Sequence, residues 1–86
     1  MAARLQVSVI SPDRVVFEGA ADMVVAPAWD GEMGILHGHA PTLVLIGRGT
    51  LRITESGSEL SFEIEGGFLQ VENDVVTVLS ERASAN

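Results

Sequence analysis

No cysteine occurs in the 86 residues, so neither a disulfide nor a thiolate metal site can reinforce the fold. A chain of this length makes one domain and buries only about 60–65% of its unfolded surface. Its apolar content, 47%, suffices for an ordered core and argues against disorder. Lysine is also missing. The basic complement is five scattered arginines, Arg4, Arg14, Arg48, Arg52 and Arg82, against twelve acids, for a net charge of −7. Gripping nucleic acid requires clustered cations that displace counterions, and nothing here is clustered. Anionic lipid headgroups would repel such a surface, whereas a basic protein surface would attract it. The alternative reading of the same acid is that it simply keeps the domain in solution. Long apolar runs are absent too. Leu43 to Ile46 falls far short of the ~20 residues of a membrane helix. Met1-Ala2-Ala3-Arg4 leads straight into an alternating pattern, with no apolar signal-peptide region after it. Direct membrane insertion is not expected, so any membrane link would be indirect.

What is present is a period of two. Leu5, Val7 and Val9 alternate with Gln6 and Ser8, Leu51 and Ile53 with Arg52 and Thr54, and Leu60, Phe62 and Ile64 with Ser61, Glu63 and Glu65. Each such run puts one face on a core and the other in water. Ser11-Pro12-Asp13, Gly19, Ser56-Gly57-Ser58 and Asn73-Asp74 supply turn chemistry between runs. Gly66-Gly67 interrupts what would otherwise be one long strand and predicts a bend between sheets. No window carries a 3.6-residue period. The expected fold is all-β, an antiparallel sandwich or flattened barrel of eight or more short strands. Ala83-Ser84-Ala85-Asn86 lacks an apolar pattern and is expected to fray.

The unusual stretch is Trp29 to Pro41, which holds three glycines, both histidines, the single tryptophan and two acids. Glycine at this density implies special dihedrals or close approach of neighbouring backbone. His37 and His39 with Glu32 or Asp30 offer a possible metal set. Against this, one imidazole could serve backbone hydrogen bonds while the other lies at the surface. The single tryptophan leaves open a ligand-binding sandwich centred on Trp29. Catalytic constellations are not found. Glu63 and Glu65 share a face, but it is the wet face of a half-buried strand. No Gly-x-Ser-x-Gly elbow occurs, and Gly47-Arg48-Gly49 lacks phosphate-loop spacing. In Pro41-Thr42-Leu43-Val44-Leu45-Ile46 alternation fails. That run is either a strand buried between layers or one with a face turned to a partner.

Gly31-Glu32-Met33-Gly34-Ile35 followed by Gly38-His39-Ala40-Pro41 closely resembles the hallmark of the epsilon subunits of F-type ATP synthases, called delta in mitochondria: Gly-Glu-x-Gly-Ile, then Gly-His-Ala-Pro. Phe17-Glu18-Gly19 is similar to that family's second strand and turn. Gly49-Thr50-Leu51-Arg52-Ile53 and Gly66-Gly67-Phe68-Leu69-Gln70-Val71, running into Val75-Val76-Thr77-Val78-Leu79, also match in order.

The resemblance implies that residues 1–86 form the family's N-terminal domain, a flattened antiparallel β-sandwich of about ten short strands. It implies a rotor subunit without catalytic residues, metal or cofactor. Such a subunit binds gamma and the c-ring and couples ion flow to ATP synthesis. It would be a peripheral membrane protein on the cytoplasmic face of a bacterial inner membrane. By resemblance, Asp30, Gly31 and Glu32 belong to the loop facing the ring, whose polar loops carry arginine, while Ser11, His39 and Val44 lie toward gamma. An exposed ion pair contributes only ~0.2–1 kcal/mol. Apolar contact with gamma would therefore supply most of the affinity, with Glu32 acting on register and specificity. Two departures stand out. Most bacterial relatives continue into a helical hairpin that inhibits ATP hydrolysis, and in some members binds ATP, whereas this sequence stops at Asn86. Its activities are therefore expected to be absent. His37 stands where proline is common.

Overall fold

The computed structural model describes residues 4–85. Eight strands account for most of them: β1 Leu5–Ser11, β2 Arg14–Ala21, β3 Met23–Ala28, β4 Gly31–Leu36, β5 Thr42–Leu45, β6 Arg48–Glu55, β7 Ser58–Glu72 and β8 Val75–Ala85. The alternation read from the sequence reappears as alternating burial, clearest in β1, where Leu5, Val7 and Val9 are enclosed and Gln6 is exposed. Two hairpin turns carry the positive φ that tight turns demand of both central residues. They are Ser56-Gly57, at 51° and 84°, and Asn73-Asp74, at 52° and 63°.

The two layers arise from β7 and β8. The first half of β7 pairs with β6, its second half pairs with β5, and β8 follows it along most of its length. One layer runs β4, β3, β6, β7; the other runs β5, β7, β8, β1, β2. The bend between them falls at Gly66 and Gly67, with φ of 70° and 108°. A Cβ on Gly67 would overlap the Leu79 carbonyl oxygen, so β8 crosses β7 at a distance only glycine allows. The buried hydroxyl of Ser80 secures the same bend. It donates to the Arg82 carbonyl and accepts from the Glu65 amide. Val7, Val9, Val24, Ile35, Leu51, Ile53, Leu69, Val76 and Val78 fill the space between layers. Phe17 and Phe62 meet across it, with ring centroids 5.9 Å apart and planes tilted by 56°, within the favoured geometry for aromatic pairs.

Four details differ from the sequence expectations. There are eight strands rather than about ten, because β7 and β8 continue through the glycine bend instead of breaking there. The pairing is not wholly antiparallel, since β1 lies parallel to β8, Gln6 beside Val75 through Ile10 beside Leu79. No short turn joins these two strands, so nothing obliges them to run in opposite directions. Gly19 lies within β2, opposite Val7. A Cβ there would come 3.2 Å from Phe17 Cζ, so this glycine makes room for an aromatic ring rather than a turn. Ala83, Ser84 and Ala85 extend β8 against Ile64, Glu63 and Phe62 instead of fraying. Asn86, named with that tail, lies outside the described residues.

Candidate functional sites on one face and one hairpin tip

Trp29 and Asp30 form the tip between β3 and β4. The incoming strand is anchored by bonds from the Trp29 amide to the Leu45 carbonyl, 3.1 Å, and from the Gly47 amide to the Pro27 carbonyl, 2.8 Å. Gly47 approaches so closely that a Cβ would stand 3.2 Å from the Ala28 carbonyl oxygen. Gly31, with φ of 135°, closes the turn and opens β4 opposite Ala28. Asp30, Gly31 and Glu32 are all exposed. Their electrostatics differ. Glu32 reaches back to Arg52, Oε2 to Nη2 at 3.4 Å, and the same arginine lies 4.0 Å from Glu59. Asp30 has no ion-pair partner among the described residues, so the free negative charge of the tip sits there.

Ser11, His39 and Val44 do not form a single cluster. Ser11 is buried in the β1–β2 turn, its hydroxyl 2.9 Å from Asp13 Oδ1 and 3.3 Å from the Arg14 carbonyl. His39 is half-buried and turns Nδ1 to the Ala40 carbonyl at 2.8 Å, with Thr42 Oγ1 3.4 Å away. Val44 packs inward against the core opposite Leu69. The outward face of β5 belongs instead to Leu43 and Leu45, 67% and 52% exposed. Of the two readings of that strand, the structure shows the second geometry, one face on the core and the other open.

The open face extends beyond β5. Leu45 stands opposite Phe68, Phe68 opposite Leu79, Leu79 beside Ile10, and Ile10 opposite Val15. Cross-strand partners project from the same side, so an apolar row crosses this layer. Two shallow depressions flank it, with volumes of about 420 and 270 Å³. The other layer's outward side is mostly polar: Arg48 lies 3.9 Å from Glu65, and Thr50 donates to Glu63 at 2.7 Å, with Leu36 opposite Met23 as an exposed apolar exception at its β4 edge. Phe68, Leu79, Ile10 and Val15 were not singled out from the sequence. The available signal was Val75-Val76-Thr77-Val78-Leu79, which is apolar at both parities just as the β5 run is.

His37, which stands where the family resemblance expects proline, ties the β4–β5 loop to the β7–β8 turn. Its Nδ1 lies 2.7 Å from Asp74 Oδ2, and the Gly38 amide donates to Asp74 Oδ1 at 2.8 Å. The Gly38 amide, with the hydrogen bond and charge of His37, holds the Asp74 carboxyl below its usual range against a desolvation effect of opposite sign. Because the folded value is depressed, the clamp contributes fully above the ordinary aspartate range and is lost as pH falls through the lowered one. Acidification is expected to move the Gly38 amide resonance in step with Asp74. Asp74→Asn, which keeps an oxygen for that amide, is expected to flatten the titration.

The metal reading is not supported. Among the described residues no three His, Asp or Glu side chains are grouped to hold an ion. His37 is engaged by Asp74, Glu32 by Arg52, and His39 Nδ1 by a carbonyl.

A two-layer β domain with one apolar and one polar outer side defines the class as a β-sandwich. The chain belongs to the family described as ATP synthase, Delta/Epsilon chain, beta-sandwich domain, which matches residues 4–86. It is 48% identical to the ATP synthase epsilon chain of Synechococcus sp. (strain JA-2-3B'a(2-13)), over 92% of this chain and 58% of that protein. It is 42% identical to the ATP synthase epsilon chain of Frankia casuarinae, over 92% of this chain and 94% of that one. The sequence thus spans little more than half of one relative and nearly all of another. In structure it is similar to a chain of the Euglena gracilis mitochondrial ATP synthase, solved as OSCP/F1/c-ring. The TM-score is 0.91 and the identity 24%, over 99% of this chain and 55% of that one, and this likeness bears on the fold.

Proposed function

We propose that this chain is the β-sandwich of a non-catalytic rotor subunit that docks on the central-stalk subunit gamma and on the c-ring of an F-type ATP synthase. The observation that carries the reading is the apolar row across one layer, set against a charged outer side on the other. An apolar face of this kind fits a protein partner, and epsilon chains of similar sequence supply the context. In this reading the outer side of β5, β7 and β8 meets gamma. Val44 supports that side from behind, while Ser11 and His39 shape its ends. Asp30, Gly31 and Glu32 face the ring. Asp30 offers the unpaired charge, and Glu32, already shared with Arg52, fixes the register of the tip. The rigid connection between the two contacts couples ion flow to ATP synthesis with no chemical step in this chain. Membrane association would follow through the ring, on the cytoplasmic face of a bacterial inner membrane.

Hydrogen exchange of the chain with and without purified gamma tests this directly. Protection is expected at Leu43–Leu45, Phe68–Gln70 and Thr77–Leu79. Protection confined to the side bearing Arg48 and Glu63, with the apolar row still exchanging freely, would sink the reading.

A further inference from the structure

The apolar row has one more member. Ala28 and Ile46 form an antiparallel bridge, and the Trp29 amide bonds the Leu45 carbonyl, which sets Trp29 opposite Leu45. Ile46 points inward, 5% exposed, so its neighbour Leu45 points outward, on the side of Phe68 and Leu79; Trp29, opposed to Leu45, stands at the edge of that side, where the outward face of β3 begins. At 70% exposure Trp29 is the most open large apolar side chain among the described residues. Its backbone is not loose, since the bonds at Trp29 and Gly47 tie this tip to the end of β5 and to the β5–β6 connection. A Cβ on Gly47 would stand 3.3 Å from Trp29 Cα. A bulky aromatic on a fixed support, at the end of an apolar row and beside an unpaired carboxylate, has the make-up of an interface anchor.

We propose that Trp29 anchors the stalk-docking face. The partner that covers Leu45, Phe68 and Leu79 also covers the indole, so this face runs unbroken to the tip bearing Asp30. The inference rests on the docking reading above. The partner patch it requires is apolar, with an acceptor for the indole N–H and a basic group near Asp30. Stalk and ring contacts would then adjoin at this residue instead of lying on separate ends of the domain.

Trp29 is the single tryptophan, so the full chain labelled with 5-fluorotryptophan gives one fluorine resonance. Addition of purified gamma is expected to move that resonance and abolish its solvent isotope shift. Trp29→Ala, with its folding checked by thermal melt, is expected to raise the Kd for gamma at least about tenfold. If gamma binds with the resonance unmoved and Trp29→Ala binds as tightly as the parent, the anchor is refuted while the docking reading stands. A resonance that moves only when isolated c-ring is added also refutes it, by assigning the indole to the ring. Failure of the parent chain to bind gamma at all overturns the docking reading and the anchor with it.

Discussion

Gly67→Ala is expected to lower the midpoint of thermal unfolding by roughly 15 °C or more, on the usual scale of about 4–8 °C per kcal/mol for small domains. Two effects combine. The φ of 108° belongs to a region costing a residue with a side chain about 1–3 kcal/mol. The added methyl would also occupy the position of the Leu79 carbonyl oxygen, so β7 and β8 must move apart. That separation threatens the pairing of Gly67 with Ser80 and the bond from the Ile46 amide to the Gly67 carbonyl, 2.9 Å. Each hydrogen bond lost contributes about 1 kcal/mol more. A domain of this size is stable by only about 5–10 kcal/mol, so the loss is a large share of the whole. Gly57→Ala provides the comparison. Its φ is 84° but nothing lies within 4 Å of the new Cβ, so strain acts alone and the drop should be several-fold smaller. Equal melting points for the two variants would show that β8 is not packed against the bend as described.

The bend also shows what local pattern can reveal. Gly66-Gly67 marked a change of direction because glycine tolerates what other residues do not. The sequence did not show that β8 would bend with it, since Ser80 supports the turn through bonds to Glu65 and Arg82, a tertiary arrangement. Likewise Val7, Val9, Val76 and Val78 announce two half-buried strands, but alternation is the same read in either direction. Their parallel alignment was therefore invisible. Periodicity specifies which residues of a strand share a face and is silent about its neighbours.

The candidate sites divide in the same way. Glycine density drew attention to residues 29–41, and the structure does place an exposed tip there. The wiring of that stretch was not legible, because Arg52 and Asp74 reach it from elements distant in sequence. Val44 illustrates a different limit of local pattern. Thr42-Leu43-Val44-Leu45 has no polar parity to say which side is inward, and only its pairing with β7, where Leu69 is buried and Phe68 is not, decides it. The same ambiguity concealed Val75 and Leu79. Runs that are apolar at both parities are therefore where a small sandwich hides an outward apolar side.

In the proposed docking, Phe68→Thr combined with Leu79→Thr is expected to weaken binding to gamma by roughly 10²- to 10³-fold, taking about 2 kcal/mol for each residue of a central apolar pair and allowing for incomplete additivity. The two stand opposite one another at the middle of the row, 47% and 49% exposed. Threonine retains the strand preference of both sites, so the fold should survive. The cross-strand contact removed contributes only about 0.2–1 kcal/mol, and the melting point should move by a few degrees. This separation makes the pair informative: an affinity lost with the fold intact can only come from the surface. Arg48→Ala, 85% exposed on the opposite side, should leave the Kd within about twofold, as exposed ion pairs contribute little. The two layers enclose a single core, so affinity that fell with Arg48 and persisted without Phe68 and Leu79 would mean the apolar side meets something other than the stalk.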